Sequence, residues 1–479
     1  MNTAIVLLLA FLGGSYLWAM RGTILGGQKG AMLPGAFLGL LIPLATGSQY
    51  LIDNMWIFTA VGGAAMFFGG TQTYGDTITL AMDKDNIPIR TTGRVGMLIK
   101  GATWFGIFAG IIAIAFNAMI GEYKPLELVI FIALIPVCKW LGFLVLNFPQ
   151  SPKKGKFPIF YFSKDAFEMW GGMIFVVLQI AAFAIYKQDW FILTMTLVGF
   201  FSGAIGNTLG VAMMYSVKWG KENNRYIFGK LQKAGYVSGW KVMEFSLGAA
   251  GALGTLLCFI LTYPKEKLAT FEASSGISAI NLGDDTVKWL TIAWLVCTAI
   301  YCILSILPDV SKTENNKKVY ALRTAIEFFT DEVFHWFVLA YLGILLPLLG
   351  CTFVAKLLSV GIIFWVVTEK FVKKGYHKRA YTNLVPFKVI MVIVAVALIA
   401  LQFVTEYTGI LEFTPYVLMA FYLLSYEALE MIVVFGPKGE LRNLKKLQSK
   451  GIKPEALTVR VFSWFEIIVC LIIGALIMF

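Results

Sequence analysis

Charge is scarce in this chain. Asp, Glu, Lys and Arg make up 14% of its 479 residues, where a soluble protein carries roughly a quarter. A soluble enzyme of this length does not fit that composition. Histidine is almost missing, with 2 copies, and there is no HExxH, GxSxG or paired CxxC motif. Cys138, Cys258, Cys297, Cys302, Cys351 and Cys470 all sit in apolar segments. They read as small core residues, with no disulfide framework, zinc site or cofactor implied. The basic leader of a signal peptide is also lacking. Arg21 and Lys29 follow the apolar run Met1–Met20, the pattern of a retained first helix with its N-terminus outside.

What the chain has in abundance is apolar surface, 58% of residues, together with 46 glycines. A helix needs about twenty apolar residues to cross the hydrocarbon core, and about fourteen such runs recur. They cover 3–20, 31–47, 55–75, 96–120, 126–148, 169–186, 190–215, 242–263, 288–307, 333–351, 354–372, 387–406, 413–435 and 459–478. The expectation is an all-α polytopic bundle forming one membrane domain, 1–479. A division into halves 1–240 and 241–479 would give inverted repeats, although no shared register supports it.

The net charge of +12 does not point to nucleic acid, because the positives lie in short loops on alternate sides of the apolar runs. The stretches 21–30, 83–100, 149–168, 216–241, 308–332, 369–388 and 437–460 hold most of the 40 Lys and Arg residues. By the positive-inside rule these loops face the cytoplasm and both termini face outward. The localisation expected is a bacterial-type cytoplasmic membrane. Membrane lipid is the expected partner of the basic loops, and a homo-oligomer is compatible with the composition.

Charged groups inside a span are costly and raise a functional question. Asp76, Glu168, Glu244, Glu427, Glu430 and Glu466 are the main set, all toward the cytoplasmic half. Glu168 and Glu244 suit the first turn of a helix, where the dipole favours a carboxylate. Glu427 and Glu430 share one helix face at i, i+3 and repel unless a proton or cation intervenes. The segment Gly69 to Thr77, with Thr71, Thr73, Tyr74 and Asp76, is too polar for a lipid-facing helix. It reads either as a loop below the surface or as a broken helix lining a path. The stretch Arg21 to Gly30 offers glycines, Arg21 and Lys29 to an anion, but departs from the Walker A spacing. Asn207, in Gly206-Asn207-Thr208, is a third polar patch or interhelical glue. His335, four residues after Asp331, suits a structural role or a proton relay. Asp76, Asp83 and Asp85 have some of the character of a magnesium-diphosphate site, without a matching motif.

The fourteen-span plan is similar to that of some sodium/solute symporters, in topology alone. The reading that follows is a secondary transporter of a small polar or anionic solute coupled to protons or sodium. Its path residues would be Arg21, Thr71, Thr73, Tyr74, Asp76, Asn207, Glu427, Glu430 and Glu466. The alternatives are a membrane enzyme with a cytoplasmic-face site for a lipid-linked or phosphorylated substrate, and a scaffold subunit.

Overall fold

The computed structural model describes residues 1–21, 27–72, 74–149, 162, 168–219, 239–274, 282–306, 325–326, 329–361, 385–405 and 414–424. These residues form helices and their connections, with no strand among them. In order the helices are α1 (Thr3–Arg21), α2 (Gln28–Thr46), α3 (Gln49–Asp53), α4 (Met55–Phe67), α5 (Tyr74–Ala81), α6 (Ile87–Met119) and α7 (Pro125–Gly142). Then follow α8 (Trp170–Tyr186), α9 (Trp190–Trp219), α10 (Gly239–Thr262), α11 (Lys265–Ala273) and α12 (Asp284–Ile306). Two π-helical stretches, Phe329–Phe334 and Trp336–Tyr341, lead into α13 (Leu342–Leu348). Six of the described helical runs are long and apolar enough to cross a membrane: α1, α2, α6, α7 with its π-helical extension to Asn147, α9 and α10.

Five of these match expected spans to within about four residues, whereas α6 begins at Ile87, nine residues before the expected start at 96. The expected run 55–75 does not form one helix. α4 stops at Phe67, a 3-10 turn covers Phe68–Thr71, Gln72 is extended (φ −82, ψ 108), and a new helix begins at Tyr74. Consecutive glycines at 69 and 70 weaken the helix where it breaks. The last expected span, 459–478, lies outside the described residues.

The broken chain runs antiparallel along the whole of α6. Tyr50 Oη donates to Met119 O at one end, Trp104 Nε1 to Met66 O and Lys100 Nζ to Thr77 Oγ1 near the middle, and a Cβ at Gly93 would overlap the Ala81 backbone toward the other end. With 33 residues, α6 is about 50 Å long at 1.5 Å per residue, well beyond a hydrocarbon core of about 30 Å. Its part from Gly101 to Met119 carries no charge. Lys100 therefore marks one edge of the apolar zone.

Six helices close into a ring, each packed on the next: α6, α9, α10, α1, α2, α4 and back to α6. Glycine lets the backbones meet. A Cβ at Gly35 or Gly39 of α2 would overlap α4 at the Gly62 and Phe58 carbonyls, and one at Gly203 of α9 would overlap the Gly101 carbonyl of α6. Close backbone approach is how membrane helices gain contact when lipid is as apolar as leucine. The centre of the ring is filled. Trp18 lies 4.7 Å from Trp104 and 5.1 Å from Phe105, centroid to centroid, and the Phe105 ring covers Gly251 of α10. Within its most apolar stretch α6 is 89% buried, against 39% for α7 and for α9. Leu126, Ile130, Val137 and Leu144 face outward from the α7 run, as expected of a lipid-facing side.

Candidate functional site

The two glycine-rich segments singled out in the sequence meet. Gly70 of the 3-10 turn lies so close to Gln28, at the start of α2, that a Cβ there would overlap the Gln28 backbone. A Cβ at Gly27 would touch the Gly70 carbonyl at 3.7 Å. The break in α4–α5 and the start of α2 at Gly27 and Gln28 thus form one junction, beneath the aromatic filling of the ring.

Arg21 sits at that junction and is fully buried. Its guanidinium lies 4.8 Å from the Trp18 ring and 4.6 Å from the Trp104 ring, and Nη1 donates to Gly27 O at 3.3 Å. Three features hold a cation here: two indole faces, the partial negative charge at the C-terminus of α1, and the turn carbonyl. Lys241 reaches the same helix end from α10, donating to Ala19 O and to Glu244 Oε2, the latter at 2.7 Å. Trp240 Nε1 donates to the other Glu244 oxygen at 3.1 Å. Glu244 falls in the second turn of its helix, not the first, because the helix begins at Gly239, and a lysine one turn earlier holds it.

Lys100 and Glu168 form a second pair, 3.1 Å apart, with both side chains 1% exposed. Thr77 Oγ1 accepts from Lys100 at 2.7 Å, and Asp76 acts on the same ammonium through space. Asp76 is half-buried in the first turn of α5. Glu168 precedes α8 instead of sitting in its first turn, so ion pairing, not the helix dipole alone, explains its burial. One turn further along α6, Thr103 exchanges hydrogen bonds with the Gln72 side chain at the break. The buried Gln72 side chain is thereby satisfied.

On the far side of Gln28 lies His335, buried between the two π-helical stretches. Its Nε2 is 3.1 Å from Gln28 Oε1 and its Nδ1 is 3.3 Å from Thr330 O. Lys139 Nζ lies 3.3 Å from the centre of the neighbouring Trp336 ring. A polar layer, buried at both ends and half-buried at Gln28 and Gly70, therefore runs from His335 through Gln28, Gly70 and Gln72 to Lys100 and Glu168, with Arg21 against the aromatic filling.

Of the expected path residues, Arg21 and Asp76 fall in this layer. Thr71 and Tyr74 belong to it by backbone position, flanking Gln72. Asn207 donates to Met97 O of α6 and so joins two helices. Thr73, Glu427, Glu430 and Glu466 lie outside the described residues. Asp83 accepts from the Asp85 and Asn86 amides and caps the loop before α6. Among the described residues no group of His, Cys, Asp and Glu could hold a metal ion.

Sequence reasoning missed Lys100, Trp104, Gln28 and Gln72. Lys100 had a readable signal: it falls inside the expected span 96–120 yet was counted among orienting loop charges. No family model matches the chain, and neither a curated protein nor a solved structure gives a significant match.

Proposed function

We propose that this membrane protein is a secondary transporter of a small polar or anionic solute, coupled to protons or sodium. The observation that carries the reading is Arg21, held at the junction of two helix breaks inside a ring of six helices. Discontinuous helices bring backbone amides and carbonyls to a solute within a protein-lined space. Trp18, Trp104 and Phe105 then serve as the barrier above the site. A second polar group at the opposite end of α6 supports a path: Asn117 and Tyr123, both buried, converge on Asp189. Glu427, Glu430 and Glu466 remain the coupling candidates. Fourteen spans, both termini outside and a cytoplasmic-membrane location belong to the same reading, supported by the alternation of basic loops.

The test is uptake of labelled carboxylates, sulfate and phosphate into proteoliposomes under an imposed proton or sodium gradient. Gradient-driven accumulation by the full chain, lost in Arg21→Met, is expected. Absence of accumulation of any of these anions by correctly folded protein would count against the reading. The second reading, an enzyme working at one membrane face, is favoured by the crowding of Lys100, Glu168, Gln72 and Thr103 at one edge of the uncharged part of α6. Turnover of a lipid-linked or phosphorylated substrate without transport would select it.

A further inference from the structure

Beyond Lys100, the first turns of α6 leave the apolar zone and lie against the end of α9. Here two arginines share one ring. The Arg90 and Arg94 guanidinium carbons lie 5.2 and 5.1 Å from the centre of Tyr215. Arg90 Nη1 donates to Asp83 O, Lys84 O and Tyr215 Oη. Arg94 makes no hydrogen bond and no ion pair among the described residues, and its Nε is buried without a partner. Next to them, Lys84 and Lys218 lie 5.4 and 4.6 Å from the Trp219 ring, whose Nε1 is held by Met82 O. In this loop Asp83 Oδ1 accepts from the Asp85 and Asn86 amides. Four cations thus stand on two aromatic faces.

Apolar surface continues from this patch into the membrane zone. Val95 and Leu98 of α6 and Leu209 of α9 are 45%, 39% and 56% exposed. They lie on the two helices that Asn207 and Met97 join. A soluble anion has no use for such surface, whereas a phospholipid has both a phosphate and chains.

We propose that Arg90, Arg94 and Tyr215 form a binding site for the headgroup phosphate of an anionic phospholipid, with its acyl chains along Val95, Leu98 and Leu209. Arg94 supplies free donors in the planar geometry that matches phosphate oxygens. Arg90, fixed by three acceptors, supplies charge at a set position, and Tyr215 keeps the two like charges together through its ring face. Lys84 and Lys218 widen the positive field that selects anionic over zwitterionic headgroups. The site stands whether or not the protein is a transporter.

Native mass spectrometry of the full chain in detergent tests it, with phosphatidylglycerol, phosphatidylcholine and inorganic phosphate as probes. The wild type should retain phosphatidylglycerol in preference to phosphatidylcholine. Each of Arg90→Gln and Arg94→Gln should weaken that retention by about fivefold, the double variant by roughly twenty- to thirtyfold. Arg94→Lys should keep part of the preference, and Lys288→Gln, an exposed cation on α12, should keep all of it. A double variant that folds and still prefers phosphatidylglycerol overturns the proposal. So does displacement of bound phosphatidylglycerol by millimolar inorganic phosphate with equal retention of phosphatidylcholine, which would indicate a free-anion site.

Discussion

The indole of Trp104 lies against Gly69, and its Nε1 donates to Met66 O at 2.7 Å. One side chain of the unbroken helix therefore both fills the space a Cβ would need and takes a carbonyl where the broken helix loses its ladder. Gly69→Ala should destabilise the protein by about 1–3 kcal/mol through overpacking. Trp104→Phe should cost about as much by leaving the Met66 carbonyl without its donor. Thermal unfolding in detergent reads both.

The Lys100–Glu168 pair is buried on both sides, so breaking it leaves a lone charge. Lys100→Met alone should destabilise by about 3–5 kcal/mol, and the double change with Glu168→Leu should recover much of that loss. A double-mutant cycle on unfolding free energies measures the recovery. If transport stays lost in the stable double variant, the pair acts in function as well as in folding.

Arg21 separates charge from geometry. Its flat guanidinium faces two rings, 4.8 and 4.6 Å away, and a compact ammonium cannot stack on both in the same way. Arg21→Lys should keep the fold and lower uptake by roughly tenfold, about 1.4 kcal/mol in transition-state terms. Arg21→Met should abolish uptake. Initial rates at saturating and low solute separate a binding defect from a slow transport step.

Tyr123 gives a pH signature. It lies in the connection between α6 and α7 and donates to Asp189 at 2.8 Å. Burial first, then the Asp189 carboxylate, pushes the phenol well above its ordinary value of 10.0. The folded state keeps the proton longer than the unfolded chain. Its contribution is therefore complete below pH 10.0 and is lost as pH rises from there toward the folded value. Tyr123→Phe should lower stability at neutral pH by about 1.5–3 kcal/mol. It should also flatten the alkaline fall of the unfolding midpoint.

Much of the fold could be read in advance because apolar length and basic-loop alternation are local properties of the chain. The boundaries of α1, α8 and α9 follow from apolar length directly, whereas the polar first turns of α6, from Ile87, gave no apolar signal. The interruption of the helix at 68–72 was also signalled locally, by glycines beside threonines. What the sequence does not carry is which breaks meet. Gly70 and Gln28 lie far apart along the chain, and only the ring of helices brings them together. Trp104 and Gln72 were hidden for a related reason. A tryptophan in an apolar helix is ordinary, and its role appears only with the carbonyl and cation around it. Glu168 looked like a helix-start carboxylate because its partner, Lys100, comes from another helix.

The pairing of an interrupted helix with a continuous one distributes stiffness unevenly. α4 is clamped to α2 through Gly35, Gly39 and Gly62, where any side chain would collide, so those two must shift as a single body. α5 packs on the first half of α6 and against Val211 of α9 and Met243 of α10, beyond the interruption. Bending strain applied at either membrane face therefore concentrates in the few bonds around Gln72, and the α6 backbone is spared any change of dihedral. A spin label on α5 and another on α4 would report that flexing as a change in their separation, with the α4-to-α2 distance held constant.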